Sequence, residues 1–197
     1  LGLVTKEEIK RAAERVYTTR FMLGLFDEKT EYDDISLTSI ESKEHKDASL
    51  KASRNSIVLL ENRDNFLPLN KEKREKIAVI GPNSDSRSAL WGNYHGTSSR
   101  YVTVLEGIKE VTEGDVLYSE GCHVMKDRVE RLGEEDDRIS EAVTLLSLSD
   151  IGVVVLGLNE TYEGEMHDDG NGGIAGDKES LSLPLSQQKL LSALSKV

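Results

Sequence analysis

Three short runs of unbroken apolar residues, Ile77–Ile80, Val116–Tyr118 and Ile151–Leu156, constrain this chain more than any other feature. Strands buried on both faces read as continuous apolar runs, whereas half-exposed strands alternate. A helix is expected between the first two runs. It starts at Thr103 with Glu106 completing a capping box and carries Leu105, Ile108 and Val111. A second helix, over about 136–147, puts Ile139, Ala142, Val143 and Leu146 on one face. Strand, helix, strand, helix, strand is the pattern of a doubly wound, layered α/β domain with a mostly parallel sheet. A last helix begins near Leu185 and contains Gln188, Leu190, Leu191 and Leu194. Open sheets usually hold about 4–6 strands, so this α/β domain is expected to be truncated.

Upstream, Thr5 and Glu8 form another capping box, and Ile9, Ala12, Ala13, Val16, Tyr17 and Arg20 recur at helical spacing. Gly24 and Leu25-Phe26-Asp27 close this helix, and a polar, acidic connector follows to Ser42. A further helix is expected over 43–54 with Ser42 as its cap. The connector offers the first helix no apolar partner, so that helix is assigned to a preceding domain.

Composition excludes several functions. The 197 residues carry 36 acidic and 25 basic side chains, a formal charge of −11. Nucleic acid and anionic lipid both recruit Lys/Arg clusters, so neither is an expected partner. No stretch approaches the roughly 18–20 apolar residues that span a bilayer. Lys6, Glu7 and Glu8 interrupt any hydrophobic run at the start of the chain, and the compartment stays open between cytoplasm and secretion. A lone cysteine, Cys122, supports neither an internal disulfide nor a thiolate zinc site.

In open α/β sheets, ligands gather beyond the carboxyl ends of the strands. The first loop there runs from Gly81-Pro82-Asn83-Ser84-Asp85 to Trp91–Gly96, and the second is Glu120–His123. The third, Gly157–Pro184, spans about 28 residues and holds Glu160, Glu163, Glu165, His167, Asp168 and Asp169; loops of that length are usually functional or disordered. Its acidic cluster has three readings: oxygen and imidazole ligands for a metal, solvated surface, or a general acid/base. The first loop fits neither glycine-rich phosphate motif, and Asp85 would repel a phosphate. Trp91, Tyr94 and Tyr101 suit either sugar stacking or a core. Cys122 and His123 are read as a packed thiol beside a surface imidazole, because adjacent strand residues face opposite ways. His45 and His95, in polar contexts, are read as solvated or hydrogen-bonded.

An ordered series of blocks adds to this reading: RFMLGLFD (Arg20–Asp27), HKDASLKASRNSIVLLEN (His45–Asn62), LPL (Leu67–Leu69), IAVIGPNSD (Ile77–Asp85) and GNYHG (Gly92–Gly96). YSEGC (Tyr118–Cys122), DIGVVVLGL (Asp150–Leu158), EGE (Glu163–Glu165) and GDKESLSLP (Gly176–Pro184) continue it. The series resembles glycoside hydrolase family 3, particularly its β-xylosidases and β-glucosidases, across essentially the whole chain. The resemblance implies a (β/α)8-type barrel bearing a nucleophilic Asp, followed by an α/β sandwich bearing the acid/base Glu, with the active site between them. Residues 1–27 would be the barrel's trailing helix, 28–42 the interdomain linker and 43–197 the first part of the α/β sandwich, and the nucleophile would lie upstream of Leu1. The family's Glu-Gly-x-Asp-Arg-like stretch maps Glu165, three residues before Asp168, as the acid/base, with Glu163 as runner-up. Met166 and His167 replace the family's small pair, no Arg follows Asp168, and Asp169–Ala175 is an insertion. Asn93, Tyr94, His167 and Asp168 are candidate substrate-binding residues, and no cofactor or metal is implied.

The expected function is therefore part of a retaining exo-acting β-glycosidase, itself inactive without the barrel of the same polypeptide. Its substrate would be a β-linked xylo- or gluco-oligosaccharide. The alternative is a noncatalytic carbohydrate-binding or scaffold domain; a nucleotide-binding module lacks its phosphate cradle.

Overall fold

The computed structural model describes residues 2–92, 95–126, 137–160, 162 and 180–197. The chain divides into two compact units, Leu1–Val58 and Leu59–Val197. The helix expected after Ser42 falls in the first unit.

The first unit holds α1 (Lys6–Met22) and α2 (Lys43–Ser56). Both caps read from the sequence are formed. The Thr5 hydroxyl accepts from the Glu8 N–H, while the Glu8 carboxylate accepts from the Thr5 N–H at 2.8 Å. At α2 the Ser42 hydroxyl accepts from the His45 N–H. Neither helix buries a residue.

The second unit is built on a parallel sheet of β1 (Ile77–Ile80), β2 (Val116–Ser119) and β3 (Ile151–Val154), in the order β2-β1-β3. Ile77 registers with Val116 on one side and Ile151 on the other. With side chains alternating between faces, central β1 serves two cores. Ala78 and Ile80 pack with Cys122, Ala142, Leu190 and Leu194, drawn in part from α4 (Asp137–Ser147) and α5 (Leu185–Leu194). Ile77 and Val79 pack on the opposite face with Leu105 of α3 (Val104–Val111) and Ile151. The layered α/β fold is thus as expected.

Two-faced burial, expected of every strand, is complete only in β1. Among the described residues β2 and β3 have one strand neighbour each, and Tyr118 remains 39% exposed. Gly81 ends β1 with φ +127°, and a Cβ there would stand 2.2 Å from the Val155 carbonyl oxygen. Only glycine allows this backbone conformation and so close an approach of two strand ends. No helix among the described residues is long and apolar enough to cross a membrane.

Candidate functional site

The parallel arrangement brings three loops to the carboxyl ends of β1, β2 and β3, and buried amide side chains tie them together. Gln187, on the first turn of α5, is fully buried. Its Oε1 accepts from the Gly157 N–H at 2.8 Å, and its Nε2 donates to the Gly157 carbonyl at 2.8 Å and the Val124 carbonyl at 2.7 Å. One side chain therefore holds both backbone polar groups of a residue 30 positions away and reaches the second loop as well. The Gly157 carbonyl takes a second donor, Asn83 Nδ2 of the first loop, at 3.0 Å. Asn159 Nδ2 in turn donates to Asn83 Oδ1 at 3.3 Å. Asn83 and Asn159 are also buried, and amides satisfy buried peptide groups without bringing charge into a dry region.

The opening of the first loop is packed, not open. Ser84 is fully buried, and its hydroxyl donates to the Gly81 carbonyl at 2.6 Å. The Asp85 carboxylate accepts from the Thr103 hydroxyl at 2.8 Å, while the Thr103–Glu106 capping box starts α3. Further along, the Trp91 ring stacks on His95 at 4.6 Å and meets Tyr101 at 5.8 Å. Trp91 Nε1 is buried and has no hydrogen-bond partner among the described residues. The His95 Nδ1 lies 2.8 Å from the Gly96 carbonyl. His45 stands in α2, in the other unit.

The second loop corrects one expectation. Cys122 is the packed thiol that was anticipated: it is buried, and burial, assisted by the nearby Glu120 charge, pushes its pKa up to about 12. A thiol that stays protonated is no nucleophile. His123, read as a surface imidazole, is half-buried with both nitrogens engaged. Nδ1 accepts from the Met125 and Lys126 N–H groups at 3.1 and 3.0 Å. Nε2 lies 3.3 Å from the Tyr162 hydroxyl, with the rings nearly perpendicular. β2 ends at Ser119, so strand alternation has no hold on residues 122 and 123. Burial, then the Lys126 charge, holds the His123 pKa below its usual value, against an opposing pull from Glu120.

Glu163, Glu165, His167, Asp168, Asn93 and Tyr94 lie outside the described residues. The structure does describe the two ends of the third loop, where Gln187 grips Gly157 and Tyr162 meets His123. Sequence reasoning missed Asn83, Asn159 and Gln187. The signal available was the pair of amides near strand ends, at Gly81-Pro82-Asn83 and Gly157-Leu158-Asn159.

The second unit is thus a layered α/β domain whose strand-end loops are fastened by buried amides around a long acidic loop. It matches the glycosyl hydrolase family 3 C-terminal domain over residues 57–197, and the chain belongs to that family. A xylan 1,4-beta-xylosidase of Xylanibacter ruminicola is 37% identical over 130 residues, covering 65% of this chain and 15% of the relative. Probable beta-D-xylosidase 7 of Arabidopsis thaliana is 32% identical over 97% of this chain and 23% of its own length. The chain therefore spans a quarter or less of these relatives. Among solved structures, a GH3 exo-beta-xylosidase in complex with a xylobiose aziridine probe superposes with a TM-score of 0.78 at 28% identity, covering 99% of this chain and 23% of that one. A β-glucosidase from Erythrobacter marinus gives 0.77 at 31% identity, covering 98% and 27%.

Proposed function

We propose that this chain is part of a retaining, exo-acting β-glycosidase that removes xylose or glucose from the non-reducing end of β-linked oligosaccharides. It supplies the acid/base carboxyl, with Glu165 the first candidate and Glu163 the second. The nucleophilic Asp comes from a barrel domain of the same polypeptide. Residues 1–27 are that barrel's trailing helix, 28–42 connect the domains, and Asn93, Tyr94, His167 and Asp168 contact the sugar. The observation that carries this reading is the membership of residues 57–197 in a hydrolase family together with the fastening of a carboxylate-rich loop at the strand ends, where α/β domains bind ligands. The names of the relatives, β-xylosidases foremost, support the substrate class.

The chemistry needs two carboxyl groups about 5–5.5 Å apart, one attacking and one donating a proton before activating water. A loop docked against a second domain loses water, which raises a carboxyl pKa toward the range a proton donor needs. The exposed face of α1 also fits the proposal. Val4, Ile9, Ala12, Ala13, Val16 and Tyr17 line one open groove, the kind of stripe a helix buries against a domain.

In the full polypeptide, Glu165→Gln is expected to lower hydrolysis of substrates with poor leaving groups by about 10²–10⁴-fold, with partial recovery in azide. Collapse in Glu163→Gln instead moves the role two residues upstream. Full activity in both variants places the acid/base elsewhere. The 197-residue chain alone is expected to hydrolyse no aryl β-xyloside; turnover would refute the two-domain site, and calorimetric binding of free xylose would favour a carbohydrate-binding module.

A further inference from the structure

The third loop is fixed twice near its start. Gly157 is gripped through its N–H and carbonyl by Gln187 and through its carbonyl by Asn83. Five residues on, the Tyr162 hydroxyl meets His123 Nε2 at 3.3 Å. The imidazole has one usable orientation, because its Nδ1 already accepts from two backbone N–H groups of its own loop. A neutral imidazole has one donor and one acceptor nitrogen, so the ring proton resides on Nε2 and points at the Tyr162 oxygen. Rotating the ring would forfeit both backbone hydrogen bonds and the edge-on contact with the tyrosine, whose centroid lies 5.7 Å away at 85°.

We propose that His123 and Tyr162 are positioning residues for the acid/base carboxyl, acting by fixing the chain where it enters the Glu163–Glu165 stretch. This rests on the acid/base role proposed above. Tyr162 directly precedes Glu163 and stands three residues before Glu165. Three residues extend at most about 10 Å, so an anchor at Tyr162 restricts the reach of either carboxyl. The clamp is also uncharged. Burial and the Lys126 charge both favour the neutral ring.

Tyr162→Phe keeps the ring and deletes the hydroxyl. In the active full polypeptide it is expected to lower kcat on an unactivated disaccharide at least about tenfold, since misplacement of a catalytic group by an ångström costs up to about 10²-fold. A dinitrophenyl glycoside, whose leaving group needs no proton, should change less than about twofold, with Tm unaltered. His123→Ala should reproduce this selectivity, and the double variant should lose no more than the worse single one. Equal losses on both substrates with a lowered Tm would reduce the pair to a structural tether and overturn the proposal. Wild-type kinetics in Tyr162→Phe, beside a selective collapse in Glu165→Gln or Glu163→Gln, would overturn it while leaving the acid/base reading intact; unaffected Glu variants would sink that reading instead. In this chain, nitrogen NMR above pH 6.5 should show the His123 proton on Nε2, and a proton on Nδ1 would refute the clamp.

Discussion

The two compact units contain helices of equal local quality and share no principle of stability. In Leu1–Val58, α1 has a complete capping box and α2 a serine cap, yet neither helix buries a residue. Ile9 is 59% exposed and Phe21 64%; Phe21 stacks only locally, against Phe26 at 4.5 Å. In Leu59–Val197, α3 is half the length of α1 but sets Leu105 and Ile108 into a core with Ile77 and Val79. Capping and periodicity suffice to place a helix, whereas most of its stability comes from burying a face. The first unit displays a face without a core; the second closes its core on both sides of β1.

The sharpest way to break this contrast is to empty matched positions. Ile80→Ala, at a fully buried site, should cost roughly 2–5 kcal/mol, read by urea unfolding of the chain's one tryptophan, Trp91. Val16→Ala, on the open face of α1, should stay within about 0.5 kcal/mol by circular dichroism and calorimetry. Equal costs would show that the first unit has a core of its own. The next effect concerns polar burial. Gln187→Met should cost about 1–3 kcal/mol, because the Gly157 N–H and the Val124 carbonyl lose their partner, and an unchanged unfolding midpoint would remove the amide clamp from the account. Smallest are the two capping boxes. Thr103→Ala, at a buried hydroxyl that also serves Asp85, should destabilise the second unit by about 1 kcal/mol. Thr5→Ala should only fray α1, seen as lost helical signal with an unmoved Trp91 transition. A shift of that transition by Thr5→Ala would couple the units energetically.

The features legible in the sequence were those written locally. Thr5 with Glu8, Ser42 and Thr103 with Glu106 announce helix starts, because cap and partner lie three residues apart. The apolar runs announce β1, β2 and β3, although only β1 is covered on both faces. The site was less legible. Asn83 and Asn159 act across 76 residues and Gln187 across 63 to Val124, distances over which a single sequence carries no pairing signal. An amide that knits loops is spelled the same way as an amide facing water. His123 was misjudged for a related reason: strand alternation was extended past Ser119 into a loop, where direction is set by hydrogen bonds and not by pleat.

The Gln187 grip on Gly157 also bears on how such a domain can vary. Gln187 lies just past the third loop and grips its first residue, so one side chain holds the two ends of the loop together. For a flexible loop with fixed ends, doubling the length costs only about 0.6 kcal/mol of closure entropy. A change of length between Gly157 and Gln187 therefore adds little closure cost, and the sheet beneath keeps its register. The frame holds the loop at Gly157, through Gln187 and Asn83, and again at Asn159 and Tyr162.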